Sequence, residues 1–143
     1  MAPEEFESVY SVAGRDFNNA GRASTAIKDT LKRLGVSATV VRRVAIISYE
    51  AEMNMVMYAT RGHIALKVNA QVVTIQAEDE GPGIEDIDLA MHEGYSTATP
   101  EMREMGFGAG LGLPNIKRNA DEFEITSEVG RGTRLHIRVN LLA

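Results

Sequence analysis

The 143-residue sequence predicts a single α+β domain, a two-layer α/β sandwich in which helices pack on one face of a mixed, mostly antiparallel sheet. Residues 18–34 show helical periodicity, with apolar side chains recurring on one face, and a second, mostly apolar helical stretch runs to about residue 60. Two pairs of segments with alternating apolar and polar residues follow, as in β-hairpins, and short helical segments lie between them. The length fits one domain over residues 1–143, which can bury a core without disulfides or metals.

The first half of the chain is predicted to hold one strand and two helices. Phe6–Val12 has strand character, and Asn18–Leu34 is predicted to be a helix that ends at Gly35. Ser37 is a suitable N-cap for a second helix that runs to about Thr60. That second helix is apolar almost all round, so we expect it to be mostly buried.

The second half is predicted to hold two hairpins and two short helices. The hairpins pair His63–Asn69 with Val72–Glu78, and Phe123–Val129 with Thr133–Leu141. The short helices are Glu85–Glu93 and Leu111–Ala120. Helices that precede strand pairs favour segregated layers, which is why a two-layer sandwich is predicted.

Composition excludes several classes of function. The net charge of -5 argues against a nucleic-acid partner, which would normally select a basic face. The absence of cysteine excludes disulfides, thiol catalysis and cysteine zinc sites, and it fits a cytoplasmic location. The acidic opening lacks the pattern of a signal peptide, and no apolar run approaches the roughly 18 residues of a membrane span, so no membrane partner is expected.

Glu50 and Asn54 form the first candidate site. They lie four residues apart on the second predicted helix and so share one face, while Glu52 points to the opposite side. A carboxylate on a buried helix is costly unless it is paired or used. One alternative is a half-exposed Glu50 at a sheet edge; the other is a functional pair, in which Asn supplies an oxygen to a hard cation and Glu acts on a nucleophile. Tyr49 is expected to be a packing residue.

Asp79, Gly81, Gly83 and Ile84 form the second candidate site, directly after a predicted strand. Glycines at a strand end let a ligand approach the backbone closely, and the carboxylate can accept a hydrogen bond from an amine such as that of adenine. The same residues are also good turn formers, so a plain turn is the alternative.

The third candidate is a run of alternating glycines that leads into a helix. Its members are Gly106, Gly108, Gly110 and Gly112, with Leu111 between the last two. Unshielded N–H groups next to a helix N-terminus form a cradle for phosphates, although the spacing matches neither a Walker loop nor a dinucleotide fingerprint. Gly130, Gly132 and Thr133 follow at a hairpin turn, where Thr133 is either a strand residue or a ligand contact.

In this order, the motifs resemble the N, G1, G2 and G3 boxes of the GHKL ATPase superfamily. The resemblance covers about residues 40–139 and implies the Bergerat ATP-binding fold. It implies that Glu50 is the catalytic base, Asn54 the Mg²⁺ ligand and Asp79 the adenine contact. It also implies ATP contacts at Asn54, Asp79, Gly81, Gly83, Ile84, Gly106, Gly108, Gly110, Leu111, Gly112 and Thr133.

Within that superfamily the chain is similar to the anti-sigma-factor and switch-kinase branch of RsbT- and RsbW-type serine kinases. This resemblance rests on Tyr58-Ala59, Ala77–Ile84, Glu93–Thr97, Gly110–Arg118 and Asp121–Phe123. It implies an ATP- and Mg²⁺-dependent protein serine/threonine kinase that phosphorylates a STAS-domain antagonist or stressosome scaffold protein. A sigma factor or a downstream phosphatase or cyclase would be a further partner.

Two alternatives remain open at the level of sequence. One is an anti-sigma factor that mainly sequesters a sigma subunit, and the other is a nucleotide-gated binding module with little transfer. The segment Ser96–Met105 is similar to an anti-sigma lid, but Arg103 lies one position off that pattern and receives no role from the resemblance.

Overall fold

The computed structural model describes residues 5–92, 100 and 112–141. Five strands form one sheet: β1 Phe6–Ala13, β2 Arg61–Val68, β3 Val72–Glu80, β4 Glu122–Glu128 and β5 Gly132–Asn140. Their order across the sheet is β1-β2-β3-β5-β4, and each neighbouring pair is antiparallel. The predicted α+β fold with a mostly antiparallel sheet is therefore confirmed.

Helices cover one face of this sheet. They are α1 Arg22–Arg33, α2 Ala38–Tyr58 and α4 Gly112–Asn119; a further short helix, α3 Ile87–Ala90, follows β3 in the sequence. Both α1 and α4 pack against α2, which also contacts β1, β2, β3 and β5. Ser37 is the N-cap residue of α2 as predicted, and most of α2 is buried. Tyr49 departs from the packing role expected of it, because it lies on the outer side of α2 and is 46% exposed. None of the described helices is long and apolar enough to cross a membrane.

The hydrophobic core lies between α2 and the sheet. Alternate strand residues such as Ile64, Ile75 and Ile137 are fully buried, as are Val44 and Ile47 of α2. This alternation leaves the other face of the sheet polar. On that face the cations pair with carboxylates: Lys67 with Glu7, Arg61 with Glu80, Arg134 with Glu78, and Arg138 with Glu122.

The predicted helix Asn18–Leu34 is wrong at its start. A 3-10 turn occupies Phe17–Asn19, and α1 begins only at Arg22. The break occurs at Gly21, whose φ of 99° is left-handed and incompatible with helix continuation.

The N-terminus of α1 is capped by Glu52 of α2. This carboxylate is 2% exposed and accepts three backbone hydrogen bonds, from Gly21 at 3.0 Å, Ala23 at 3.2 Å and Ser24 at 2.9 Å. These N–H groups have no partner within their own helix, and the positive end of the helix dipole favours the negative charge. Glu52 therefore has a structural role and ties α1 to α2.

The predicted helix Glu85–Glu93 is much shorter than expected. Only Ile87–Ala90 is helical, with the Asp86 side chain accepting a hydrogen bond from the Leu89 N–H at 3.0 Å. Asp86 thus starts the helix two residues later than predicted, because its side chain acts as the N-cap. The predicted end, Glu93, lies outside the described residues.

Candidate functional site

Glu50 of α2 is held by a residue of α4. Asn115 Nδ2 donates a hydrogen bond to Glu50 Oε2 at 2.7 Å, and Asn115 Oδ1 accepts one from Arg118 at 3.1 Å. Glu50 is half-exposed, as one alternative expected, but it lies between helices rather than at a sheet edge. The hydrogen bond to an uncharged amide keeps the carboxylate in a defined orientation without neutralising it.

Asn54 lies one turn further along α2, beside the first residue of α4. A Cβ atom built on Gly112 would be 3.4 Å from Asn54 Oδ1 and 3.6 Å from Nδ2. The Asn54 side chain is half-buried and makes no hydrogen bond to any other residue in the described ranges. An amide with unused hydrogen-bonding capacity, next to the N-terminus of a helix, is suited to hold a polar ligand.

Asp79 lies near the end of β3 and faces the start of β5. Its Oδ1 accepts a hydrogen bond from the Thr133 N–H at 3.2 Å, while Oδ2 accepts none from the described residues. Burial raises the pKa of Asp79 above its ordinary value of 3.8, and the Thr133 N–H offsets part of that rise. One oxygen is therefore committed to the fold, and the other remains free for a ligand.

The backbone crowds closely around Asp79. Gly132 has a φ of 153°, and a Cβ there would overlap the Asp79 carbonyl oxygen. A Cβ on Gly81 would be 3.3 Å from Asp79 Oδ1 and 3.1 Å from the Cα of Ala59. Glycine at these two positions lets β5 and the end of α2 approach the carboxylate.

Ser127 is a site residue that the sequence analysis missed. Its Oγ accepts a hydrogen bond from the Ile84 N–H at 2.8 Å and lies 2.9 Å from Thr133 Oγ1. Ser127 thus ties the loop containing Gly83 and Ile84 to the β4–β5 hairpin. The signal was available, because Ser127 is a polar residue at an inward-facing position of β4.

The helix α2 connects the two groups of residues. Glu50 and Asn54 lie along its length, and Ala59, directly after it, contacts the Gly81–Asp79 region. Glu50 and Ala59 are nine positions apart, which corresponds to about 14 Å at the helical rise of 1.5 Å per residue. The end of the helix that carries Glu50 and Asn54 therefore lies beside the Asp79 region.

Several predicted features lie outside the described residues. They are Glu93–Thr97, Ser96–Met105 with Arg103, and Gly106, Gly108, Gly110 and Leu111. Only the last glycine of the run, Gly112, is described, and it is the first residue of α4; the predicted start of this helix, Leu111, lies outside the described residues. The phosphate cradle remains a prediction.

The fold and these side chains define an ATPase domain. Residues 39–143 match the family model of the histidine kinase-, DNA gyrase B- and HSP90-like ATPases, and the chain belongs to this family. It is 35% identical over 112 residues to the serine/threonine-protein kinase RsbT of Bacillus subtilis (strain 168), a match covering 76% of this chain and 78% of that protein. The predicted superfamily and branch are therefore confirmed.

Anti-sigma F factors are also similar to this chain, over shorter stretches. The factor of Thermoanaerobacter sp. (strain X514) is 38% identical over 74 residues, which is 50% of this chain and 48% of that protein. The factor of Caldanaerobacter subterraneus subsp. tengcongensis is 34% identical over 89 residues, which is 59% of each. These matches span only about half of the anti-sigma factors.

Proposed function

We propose that this chain is an ATP- and Mg²⁺-dependent protein serine/threonine kinase of the cytoplasm. Its substrate would be a STAS-domain protein, either an antagonist or a stressosome scaffold, in a stress or sigma-factor pathway. Family membership and the similarity to RsbT support kinase activity. The observation that carries the proposal is the half-exposed Glu50 carboxylate, oriented by Asn115 and one helical turn from an Asn54 amide with unused hydrogen-bonding capacity.

Glu50 is the proposed general base. The substrate hydroxyl oxygen forms a bond to the γ-phosphorus of ATP, while the bond from that phosphorus to the β–γ bridging oxygen breaks and ADP leaves. The hydroxyl proton passes to the Glu50 carboxylate. Asn115 donates to only one of its oxygens, Oε2, so Oε1 retains its lone pairs for that proton.

Asn54 is the proposed Mg²⁺ ligand, and its surroundings fit that role. Mg²⁺ selects oxygen donors, keeps several waters and neutralises charge on the phosphates. The Asn54 amide oxygen lies at the start of α4, where backbone N–H groups also favour an anion. A neutral oxygen donor next to that helix end can hold the phosphate-bound metal without repelling the phosphates.

Asp79 is the proposed adenine contact. Because Oδ1 is occupied by the Thr133 N–H, Oδ2 is the oxygen left to accept a hydrogen bond from the exocyclic amine. Gly81 and Thr133 adjoin this position. Gly83 and Ile84, which are linked to Thr133 through Ser127, would complete the proposed base-binding wall. The glycine run 106–112 would hold the phosphates.

The proposal is tested by transfer of labelled γ-phosphate from ATP to purified STAS-domain proteins. Wild type should label one of them on serine or threonine. Glu50→Ala should still bind Mg-ATP but lose at least about 100-fold in single-turnover rate, since general bases contribute about 10²–10⁴-fold. Asn54→Ala should lose nucleotide affinity and transfer together, and Asp29→Ala, an exposed carboxylate on α1, should change neither.

Transfer by Glu50→Ala within a few-fold of wild type would contradict the assignment of the base. Failure of every STAS-domain protein to accept phosphate would contradict the proposed substrate class.

A second candidate function is sequestration of a sigma factor, which the similarity to anti-sigma F factors favours. A kinase that only switches a STAS-domain partner should bind no sigma factor. An anti-sigma factor should bind both proteins and release the sigma factor when the STAS-domain protein is added. Pull-down with purified proteins of both kinds separates the two functions.

A further inference from the structure

A groove runs between α1 and α2 on the outer side of the helix layer. Its volume is about 950 Å³, and we refer to it as the helix groove. Its apolar lining includes Val36, Val41 and Ile46, together with Tyr49, a residue that is 46% exposed. Aromatic rings that remain open to solvent beside aliphatic side chains are typical anchoring points for a protein partner.

Three cations line the same groove: Lys28 and Lys32 of α1 and Arg42 of α2. Lys28 and Lys32 lie one turn apart on one helix face. Within the part of the chain that the structure describes, none of the three forms an ion pair.

The cations of the helix groove differ in their ion pairing from those on the open face of the sheet. There, all four Lys and Arg side chains of the described strands are paired with carboxylates. In a chain with a net charge of -5, three cations that pair with no described carboxylate thus lie together beside an apolar groove. The charge pattern complements an anionic partner.

The groove leads to the proposed catalytic carboxylate. Glu50 and its hydrogen-bond partner Asn115 both line it, and Glu50 is the one acidic residue of that lining. A protein segment seated in the groove can therefore bring a hydroxyl to Glu50 while its other residues contact α1 and α2.

We propose that the helix groove is the docking site for the substrate protein. This inference rests on the proposed kinase function. The occupant is an acidic segment of that protein, with aspartate or glutamate opposite Lys28, Lys32 and Arg42. At least one large apolar side chain packs against Tyr49 and Ile46. Its acceptor serine or threonine lies at the Glu50 end.

The test compares Lys28→Glu/Lys32→Glu with Arg33→Glu. Arg33 is also an exposed cation of α1, adjacent to Lys32 in sequence, but it does not line the groove. With purified STAS-domain proteins, the double variant should raise KM for the protein substrate at least tenfold, with kcat and the Kd for Mg-ATP within about twofold of wild type. Arg33→Glu should change KM less than threefold.

A reciprocal experiment identifies the partner chemistry. Aspartates and glutamates near the phosphorylated residue of the substrate are replaced by Asn and Gln. This change should raise the KM for the substrate with the wild-type kinase. With Lys28→Glu/Lys32→Glu it should cause little further increase in KM, since substitutions of paired charges have non-additive effects. Equal effects in both kinases would overturn the proposed pairing.

The outcomes separate the groove from the proposed function. If the double variant transfers phosphate with an unchanged KM, the helix groove is not the docking site, and the proposed kinase function is unaffected. If no STAS-domain protein accepts phosphate, the proposed substrate class fails. The docking role of the groove is then tested by calorimetric binding of the same proteins to the kinase in the presence of a non-hydrolysable ATP analogue. Binding to wild type that is lost in the double variant supports the docking role, and absence of binding to wild type overturns it. A change of oligomeric state in the double variant, measured by sedimentation, would make a second copy of this chain the occupant and overturn the proposal.

Discussion

Replacing Asp79 by Asn should remove most of the affinity for ATP and leave the protein folded. The Asn side chain has the same shape, and its amide oxygen can keep the hydrogen bond from the Thr133 N–H at 3.2 Å. The Nδ2 group then replaces Oδ2, so that an N–H donor meets the amine of adenine. Loss of one hydrogen bond to a charged group costs about 1.5–3 kcal/mol, which corresponds to an affinity about 10- to 150-fold lower.

Stability should change in the opposite direction. Burial raises the pKa of Asp79, so the folded protein binds the carboxyl proton more tightly than the unfolded chain does. At neutral pH the ionised carboxylate therefore disfavours folding, and Asn removes that cost. Ligand-free Asp79→Asn should be no less stable than wild type at pH 7. Any advantage should shrink as the pH falls through the raised pKa towards 3.8, where wild type takes up the proton.

Calorimetric titration and urea unfolding measure the two effects. Glu80→Gln is the matched control, because it makes the same chemical change one residue along β3, at an exposed ion pair with Arg61. Inosine triphosphate carries an oxygen in place of the exocyclic amine. Asp79→Asn should therefore also reduce the ratio of the affinity for ATP to the affinity for inosine triphosphate. An unchanged Kd for ATP, in a variant that is folded, would refute the role of Asp79.

Three further predictions concern the helix layer. Asn115→Ala should lower kcat about tenfold with little change in the Kd for Mg-ATP, because Glu50 loses the hydrogen-bond donor that orients it at 2.7 Å. The control Lys117→Ala, on the same helix, should leave both constants unchanged in the same transfer assay. Gly112→Ala should be tolerated, but Gly112→Val should crowd the amide of Asn54 and weaken Mg-ATP binding by at least tenfold, as measured by calorimetry. If the two variants bind Mg-ATP with equal affinity, the proposed position of the metal is contradicted. Glu52→Gln should lower the free energy of unfolding by about 1.5–3 kcal/mol in urea, because the α1 N–H groups lose a charged acceptor; a smaller loss would refute the capping role.

Hydrophobic periodicity was sufficient to predict most of the fold. Strand alternation depends on local geometry, which is why β2 and β3 occur close to their predicted bounds, and α2 begins directly after its predicted N-cap, Ser37. The break at Gly21 was harder to predict, since an isolated glycine is often tolerated within a helical pattern. Its left-handed φ is stabilised by Glu52, which lies 31 residues away in the sequence.

The candidate site was predictable in composition but not in its connections. Spacing alone put Glu50 and Asn54 on one face of α2, and the structure agrees. The hydrogen bond from Asn115 to Glu50 joins residues 65 positions apart, so no local pattern could reveal it. Likewise, the free Oδ2 of Asp79 follows from the approach of Thr133, which depends on the pairing of β3 with β5.

The tie between α1 and α2 has an evolutionary consequence. Glu52 binds main-chain N–H groups of α1, and every residue type except proline carries such a group. Outward-facing side chains of α1 can therefore change freely while the helix keeps its position, provided that residue 21 still allows a left-handed backbone. If the gene for this protein is duplicated, the two copies could therefore diverge in the outer surface of α1. Each copy could then bind its own partner and not the partner of the other, while the architecture of the ATP site stays the same.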